Sequence, residues 1–173
     1  MMRWLWISAL VLVLDQASKY AAVGYLAGRG EVEFAPFLNL ALVYNRGAAF
    51  GFLSAASGWQ NLFFIAVASI AAVVIVLMLR RLGDKDKLVA TGLSLILGGA
   101  LGNLLDRLIH GSVIDFIDVY YPRAGDCLWL FVRSASGCHW PTFNIADSAI
   151  TIGAALLILD ALVAGRRAHG ART

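Results

Sequence analysis

The sequence predicts an all-α membrane protein: a four-transmembrane-helix bundle with a small extracytoplasmic β-containing element and an outer loop. Composition is the first observation behind this. Of 173 residues, 60% are hydrophobic and 14% charged, and mean hydropathy is +0.77. Soluble domains carry about a quarter charged residues, so a soluble fold is excluded. The second observation is a series of apolar segments close to the roughly 20 residues that cross a bilayer. The third is the placement of the basic residues beside those segments.

The first span covers about 4–26, opening with the apolar run WLWISALVLVL. Its start resembles a signal peptide, but Asp15 stands where small cleavage-site residues are expected, so the segment reads as an uncleaved anchor. Asp15 and Lys19 are one turn apart, acid first, a spacing at which they can neutralise each other. The second span, 62–79, contains no charge at all. As a helix it would rise about 27 Å, close to the roughly 30 Å hydrocarbon thickness. The third covers about 88–106 and the fourth 145–164. Within the third, Gly98, Gly99 and Gly102 are small residues of the kind that let membrane helices pack closely.

Arg80, Arg81, Lys85 and Lys87 fill the middle loop, and Arg166, Arg167 and Arg172 the tail. The positive-inside rule puts that loop and both termini in the cytoplasm, with outer loops at about 27–60 and 109–144. The net charge of +3 is therefore a topology signal, and no nucleic-acid partner is expected. FLNLALVYN in the first outer loop, followed by Arg46-Gly47, has the Tyr and Val content of a strand and its turn. The chain reads as one integral membrane domain.

Polar residues gather at the outer ends of the spans. Asp15 and Lys19 lie near the exit of the first; Asn45 and Arg46 lie in the first outer loop. Asn103, Asp106 and Arg107 end the third, Asp115 follows, and Asn144 and Asp147 open the fourth. Helix ends are polar in any membrane protein, which accounts for one such residue but poorly for this set on one face. A carboxylate in or beside hydrocarbon costs on the order of 2.5–3.5 kcal/mol, so such acids mark function. Two carboxyls sharing a site cannot both ionise easily, and the resulting acid–base couple suits water activation for amide hydrolysis. Asp115 and Asp147 are that pair. Asp118 reads as a solvated loop acid, and Asp106–Arg107 as an interfacial ion pair. His110 and His139 belong to no recognisable ligand pattern, so neither a metal nor a cofactor is expected.

DQASK (Asp15–Lys19), NRGAAFG (Asn45–Gly51), GGALGNLLDR (Gly98–Arg107), VIDF (Val113–Phe116) and FNIADS (Phe143–Ser148) occur in that order. Together they resemble the motifs of lipoprotein signal peptidase, signal peptidase II, across nearly the whole chain. The resemblance implies a four-span aspartyl endopeptidase of the bacterial inner membrane. It implies cleavage of signal peptides from diacylglyceryl-modified prolipoproteins, just before the lipidated cysteine. Residue by residue, it implies Asp115 and Asp147 as catalytic dyad and Asn45, Asn103, Arg107 and Asn144 as substrate-site residues. Asp15, Lys19 and Asp106 become structural supports. The implied partners are lipid-modified prolipoproteins and membrane lipids, with a monomer favoured and the active site towards the periplasm. The stretch YYPRAGDCLWLFVRSASGCHWPT is longer than this family usually has between the dyad motifs. An oxidising periplasm would permit a Cys127–Cys138 disulfide within it.

Two rival functions use other features. A four-helix membrane thiol oxidoreductase would use Cys127 and Cys138, but both lie in one loop and no second pair exists to relay electrons. A small transporter would use intramembrane acids, but these cluster at one face and trace no path across.

Overall fold

The computed structural model of the protein describes residues 2–47, 59–83, 86–121, 127–128, 131–133 and 137–170. Motif NRGAAFG beyond Gly47 lies outside them. After a short 3-10 turn at Met2–Trp4 the described elements are α1 (Leu5–Leu26), β1 (Val32–Ala35), β2 (Leu38–Asn45), α2 (Trp59–Arg81) and α3 (Lys87–His110). There follow β3 (Val113–Tyr121), β4 (Val132–Arg133), β5 (Cys138–His139) and α4 (Ile145–Gly170). Among the described residues, α2, α3 and the Ile145–Ala164 part of α4 are long and apolar enough to cross a membrane. α1 has the length, 22 residues, but Asp15 and Lys19 interrupt its apolar sequence. The fold is therefore not all-α: apolar membrane helices are accompanied by a small antiparallel sheet.

The chain forms two compact units. The first consists of Met1–Asp15, Ala66–Gly102 and Ile145–Thr173. Its core joins Ile75 and Leu79 of α2 to Ala90, Leu93 and Leu97 of α3, with Trp4 and Leu5 against them. Glycine lets α3 and α4 approach backbone to backbone. A Cβ on Gly92 would lie 2.9 Å from the Gly153 carbonyl oxygen, and one on Gly153 would lie 2.6 Å from that of Gly92. At Gly99 a Cβ would collide with the Ala146 carbonyl, at the start of α4. Gly99→Val should therefore force the crossing apart. A destabilisation of about 2–3 kcal/mol is expected from overpacking, read as a lower unfolding temperature in detergent; unchanged unfolding would contradict so close a crossing.

The second unit consists of Gln16–Ile65 and Asn103–Asn144. Its antiparallel sheet has strand order β1-β2-β3-β5-β4. β1 and β2 join through Pro36-Phe37, where Phe37 has φ 69°. Proline at the first central position and positive φ at the second are the marks of a type II turn. β2 matches the strand expected from FLNLALVYN. β3 lies within the 109–144 segment that the sequence alone presents as an outer loop. It pairs with β2 in a register that sets Asn39 opposite Asp118, Val43 opposite Asp115 and Asn45 opposite Val113. Between α3 and β3 the chain turns at Gly111, φ 70°, and Asp106 Oδ2 accepts the Ile114 N–H at 3.0 Å.

Cys127 and Cys138 form a disulfide, with Cα atoms 5.5 Å apart and a sequence separation of 11. Closing so short a loop constrains the unfolded chain by at most about 3 kcal/mol. A Cys127→Ser, Cys138→Ser double variant should keep its turnover in detergent or lipid and unfold at a lower temperature. Complete loss of activity in a folded double variant would instead favour thiol chemistry.

Candidate active site

In the sheet-bearing unit, one buried polar network links the second half of α1 and the end of α3 to β2, β3 and the residue before α4. Asp115, on β3, is 2% exposed. Its Oδ1 accepts the Asn144 amide at 2.7 Å, and its Oδ2 accepts the Asn45 amide at 3.0 Å. Asn144 Nδ2 also lies 3.1 Å from Asn103 Oδ1 and 3.3 Å from the Ile114 carbonyl oxygen. Asn103 Oδ1 in turn accepts from Lys19 Nζ at 2.9 Å. Carboxamides hold a carboxylate by donating to it without bringing a charge of their own. Asp115 is fixed in both position and orientation.

Lys19, one turn beyond Asp15 on α1, forms an ion pair with Asp106 at 2.8 Å, both side chains 1% exposed. Gln16 Nε2 donates to the other oxygen of Asp106 at 2.9 Å. The expected Asp106–Arg107 pair is thus replaced. Consecutive residues on a helix point about 100° apart, and Asp106 turns to Lys19 while Arg107 turns elsewhere. Arg107 reaches the carbonyl oxygens of Asn103 and Gly47, each at 3.4 Å, and its guanidinium lies 4.9 Å from the Phe64 ring centroid. That planar cation, stacked on an aromatic ring, keeps several donors in a fixed fork.

Asp118 is likewise not a solvated loop acid. It is buried on β3 and contacts the His139 ring. The signal for β3 was present in the β-branched and aromatic run VIDFIDVYY, whereas its partners on other strands left no local trace.

Asp147 belongs to the helical unit, in the first turn of α4. It stands three residues along the chain from Asn144, at a helix position that favours an anion. In the same unit Asp15, fully buried, accepts the Ala146 N–H at 2.9 Å. That bond satisfies one of the backbone donors that a helix start leaves without an intrahelical partner. Asp15 of α1 is therefore a cap supplied to α4 from another helix.

A buried carboxylate held by two carboxamides is a positioned group of the kind acid–base chemistry requires. Comparison with known proteins agrees. The family model for signal peptidase II matches residues 7–163. The chain belongs to the signal peptidase II family. The lipoprotein signal peptidase of Burkholderia multivorans is 50% identical over 169 residues, 98% of this chain and 91% of the relative. That of Alteromonas mediterranea is 47% identical over 159 residues, 92% and 80% of the two chains. Two bacterial membrane enzyme structures, solved by the in meso method at 2.3 and 1.9 Å resolution, are similar in fold. They give TM-scores of 0.74 and 0.73 at 31% identity, each covering 94% of this chain and 88% and 94% of their own. Signal peptidase II is an aspartic peptidase of the bacterial membrane that removes signal peptides from lipoproteins, and this is the activity of the chain. Neither thiol oxidation nor transport is favoured.

Proposed function

We propose that Asp115 and Asp147 are the catalytic dyad of this signal peptidase II. Asn45, Asn103, Arg107 and Asn144 position the peptide, and Asp15, Lys19 and Asp106 support them from behind. The observation that carries this reading is the grip of Asn45 and Asn144 on the buried Asp115 carboxylate, with Asp147 three residues beyond Asn144. In the reaction one dyad carboxyl is protonated and the other ionised. The carboxylate takes a proton from a water molecule, which attacks the scissile carbonyl carbon, while the acid donates to the carbonyl oxygen. The tetrahedral intermediate collapses as the leaving amine takes a proton. Arginine and carboxamide donors suit recognition of the substrate's backbone carbonyls.

α1 serves as the fourth span, and the chain is one integral membrane domain. The polar groups of α1 support this, because Lys19 is paired with Asp106 and Asp15 with the α4 backbone. Polar residues partnered inside the protein are the ones that a spanning helix tolerates. Both termini and the Arg80–Lys87 loop lie in the cytoplasm, by the positive-inside rule, and the dyad faces the periplasm. Cleavage falls immediately before the diacylglyceryl-modified cysteine, whose acyl chains stay in the bilayer.

Matched precursors with and without diacylglycerol on the cysteine test this directly. Purified enzyme should cut the lipidated form at least tenfold faster, at about the tenfold-per-1.4 kcal/mol scale of lost binding energy. Equal rates would reject the requirement for lipid.

A further inference from the structure

The sheet carries a second polar cluster that the proposed peptide chemistry does not use. Glu31 precedes β1, Asn39 is on β2, Asp118 on β3 and His139 on β5. Asn39 and Asp118 are direct cross-strand partners, so these groups form a row running across the strands. One ligand atom from each of Glu31, Asp118 and His139 lies within 4.8 Å of the others. His139 Nδ1 is 2.8 Å from Asp118 Oδ2 and 3.0 Å from Oδ1. The Asn39 amide contacts both the Glu31 carboxylate and, at 3.4 Å, Asp118 Oδ2.

Two features separate this cluster from an ordinary surface ion pair. Two carboxylates are held on one amide, Asn39, beside an imidazole, an arrangement whose negative charge a cation would offset. Among the described residues, the Glu31 carboxylate is bonded to the Asn39 amide and to no cationic side chain. The imidazole is also held in place from two sides. The Tyr120 ring stacks on it at 5.6 Å between centroids and 21° between planes, and the neighbouring Cys138 is fixed by the disulfide. An oriented histidine backed by packing is what a metal site requires of its surroundings.

We propose that Glu31, Asp118 and His139 form a binding site for a zinc-type divalent cation that clasps β1, β3 and β5. One imidazole nitrogen with two carboxylates suits zinc and its neighbours better than magnesium or calcium, which take oxygen donors. Tetrahedral ligands about 2.0–2.2 Å from zinc lie roughly 3.4 Å apart, so binding needs the 2.8 Å Asp118–His139 contact to open slightly and the exposed Glu31 side chain to leave the Asn39 amide and close from within 4.8 Å. Asp118 is three residues beyond Asp115 on the same strand, so a bound ion would stiffen the strand that holds the proposed catalytic acid. The site stands on its own geometry and does not depend on the dyad assignment.

The test uses the full-length protein in detergent, stripped with EDTA, freed of chelator and titrated with Zn²⁺ alone. One zinc ion per chain should bind saturably and raise the unfolding temperature, because a ligand that binds only the folded state stabilises it by mass action. Glu31→Gln, a change at an exposed side chain, and His139→Gln should each weaken zinc binding at least tenfold and shrink that rise. Glu31→Gln without metal should unfold where the metal-free wild type does. Mg²⁺ at the same concentration should not substitute. Absence of saturable one-to-one binding, or wild-type zinc affinity in Glu31→Gln, would overturn the site and leave the cluster a simple ion pair.

Discussion

Replacing either Asp115 or Asp147 by asparagine is expected to lower processing of a lipidated precursor by about two to four orders of magnitude, the usual contribution of a positioned acid or base. Asparagine keeps the shape of the side chain and removes both the negative charge and the transferable proton. The two variants should differ in stability. Both oxygens of Asp115 accept amide donors, from Asn144 and Asn45. An asparagine there must turn its own NH₂ towards one of them. Rotating Asn144 to suit would break its donation to Asn103, and rotating Asn45 would break its acceptance from Gly47 N. A buried donor left unmet costs about 1–3 kcal/mol, so Asp115→Asn should unfold somewhat earlier than wild type. Equal amounts of folded protein must therefore enter the assay. More than a tenth of wild-type turnover from either purified variant would reject the dyad. Asp118→Asn is not a neutral control for this experiment, because Asp118 is buried against His139.

The second large effect lies outside the reaction. Lys19→Met should remove about 3–5 kcal/mol of stability, since it leaves the buried Asp106 carboxylate without its cation. Gln16 and the Ile114 N–H remain as neutral partners, and they do not supply the missing charge. Against a total stability of roughly 5–15 kcal/mol, a loss of this size brings the variant close to unfolding. The double variant Lys19→Met, Asp106→Asn should recover much of the loss. A neutral carboxamide at 106 can still accept the Ile114 N–H, and the charge at that position is gone. Unfolding temperature in detergent and yield from the membrane read both effects. If Lys19→Met proved as stable as wild type, the pair would be exposed to water or lipid headgroups and its assignment as an internal strut would fail.

Much of this molecule could be read from its sequence. Span positions came from runs of apolar residues, a signal that each segment carries within itself. The fourth expected span, 145–164, coincides with the apolar part of α4. The strand β2 was legible because β-branched and aromatic residues led into a turn-like Arg46-Gly47. Five motifs in order, from DQASK to FNIADS, supplied the family.

β3 was hidden by its context. An apolar, β-branched run beside a membrane helix carries no sign of which strand it will meet, and its edges are completed by β2 on one side and β5 on the other. The polar residues were visible as a collection and their pairing was not. Spacing along a helix offers Lys19 only the acid one turn away, and says nothing of its contacts with α3. Its partner Asn103 is 84 residues distant, and Asp15 caps a helix 131 residues on.

Hydropathy and motif order therefore determined the class of protein, its three most apolar helices and its family, because each is a property of local chain chemistry. Only the tertiary structure decided which acid met which base, that Asn144 grips Asp115, and that Glu31, Asp118 and His139 share one row. Those pairings depend on register between distant segments. On the sheet, register is fixed by strand pairing, where a shift of one residue would turn Asp115 or Asp118 to the opposite face.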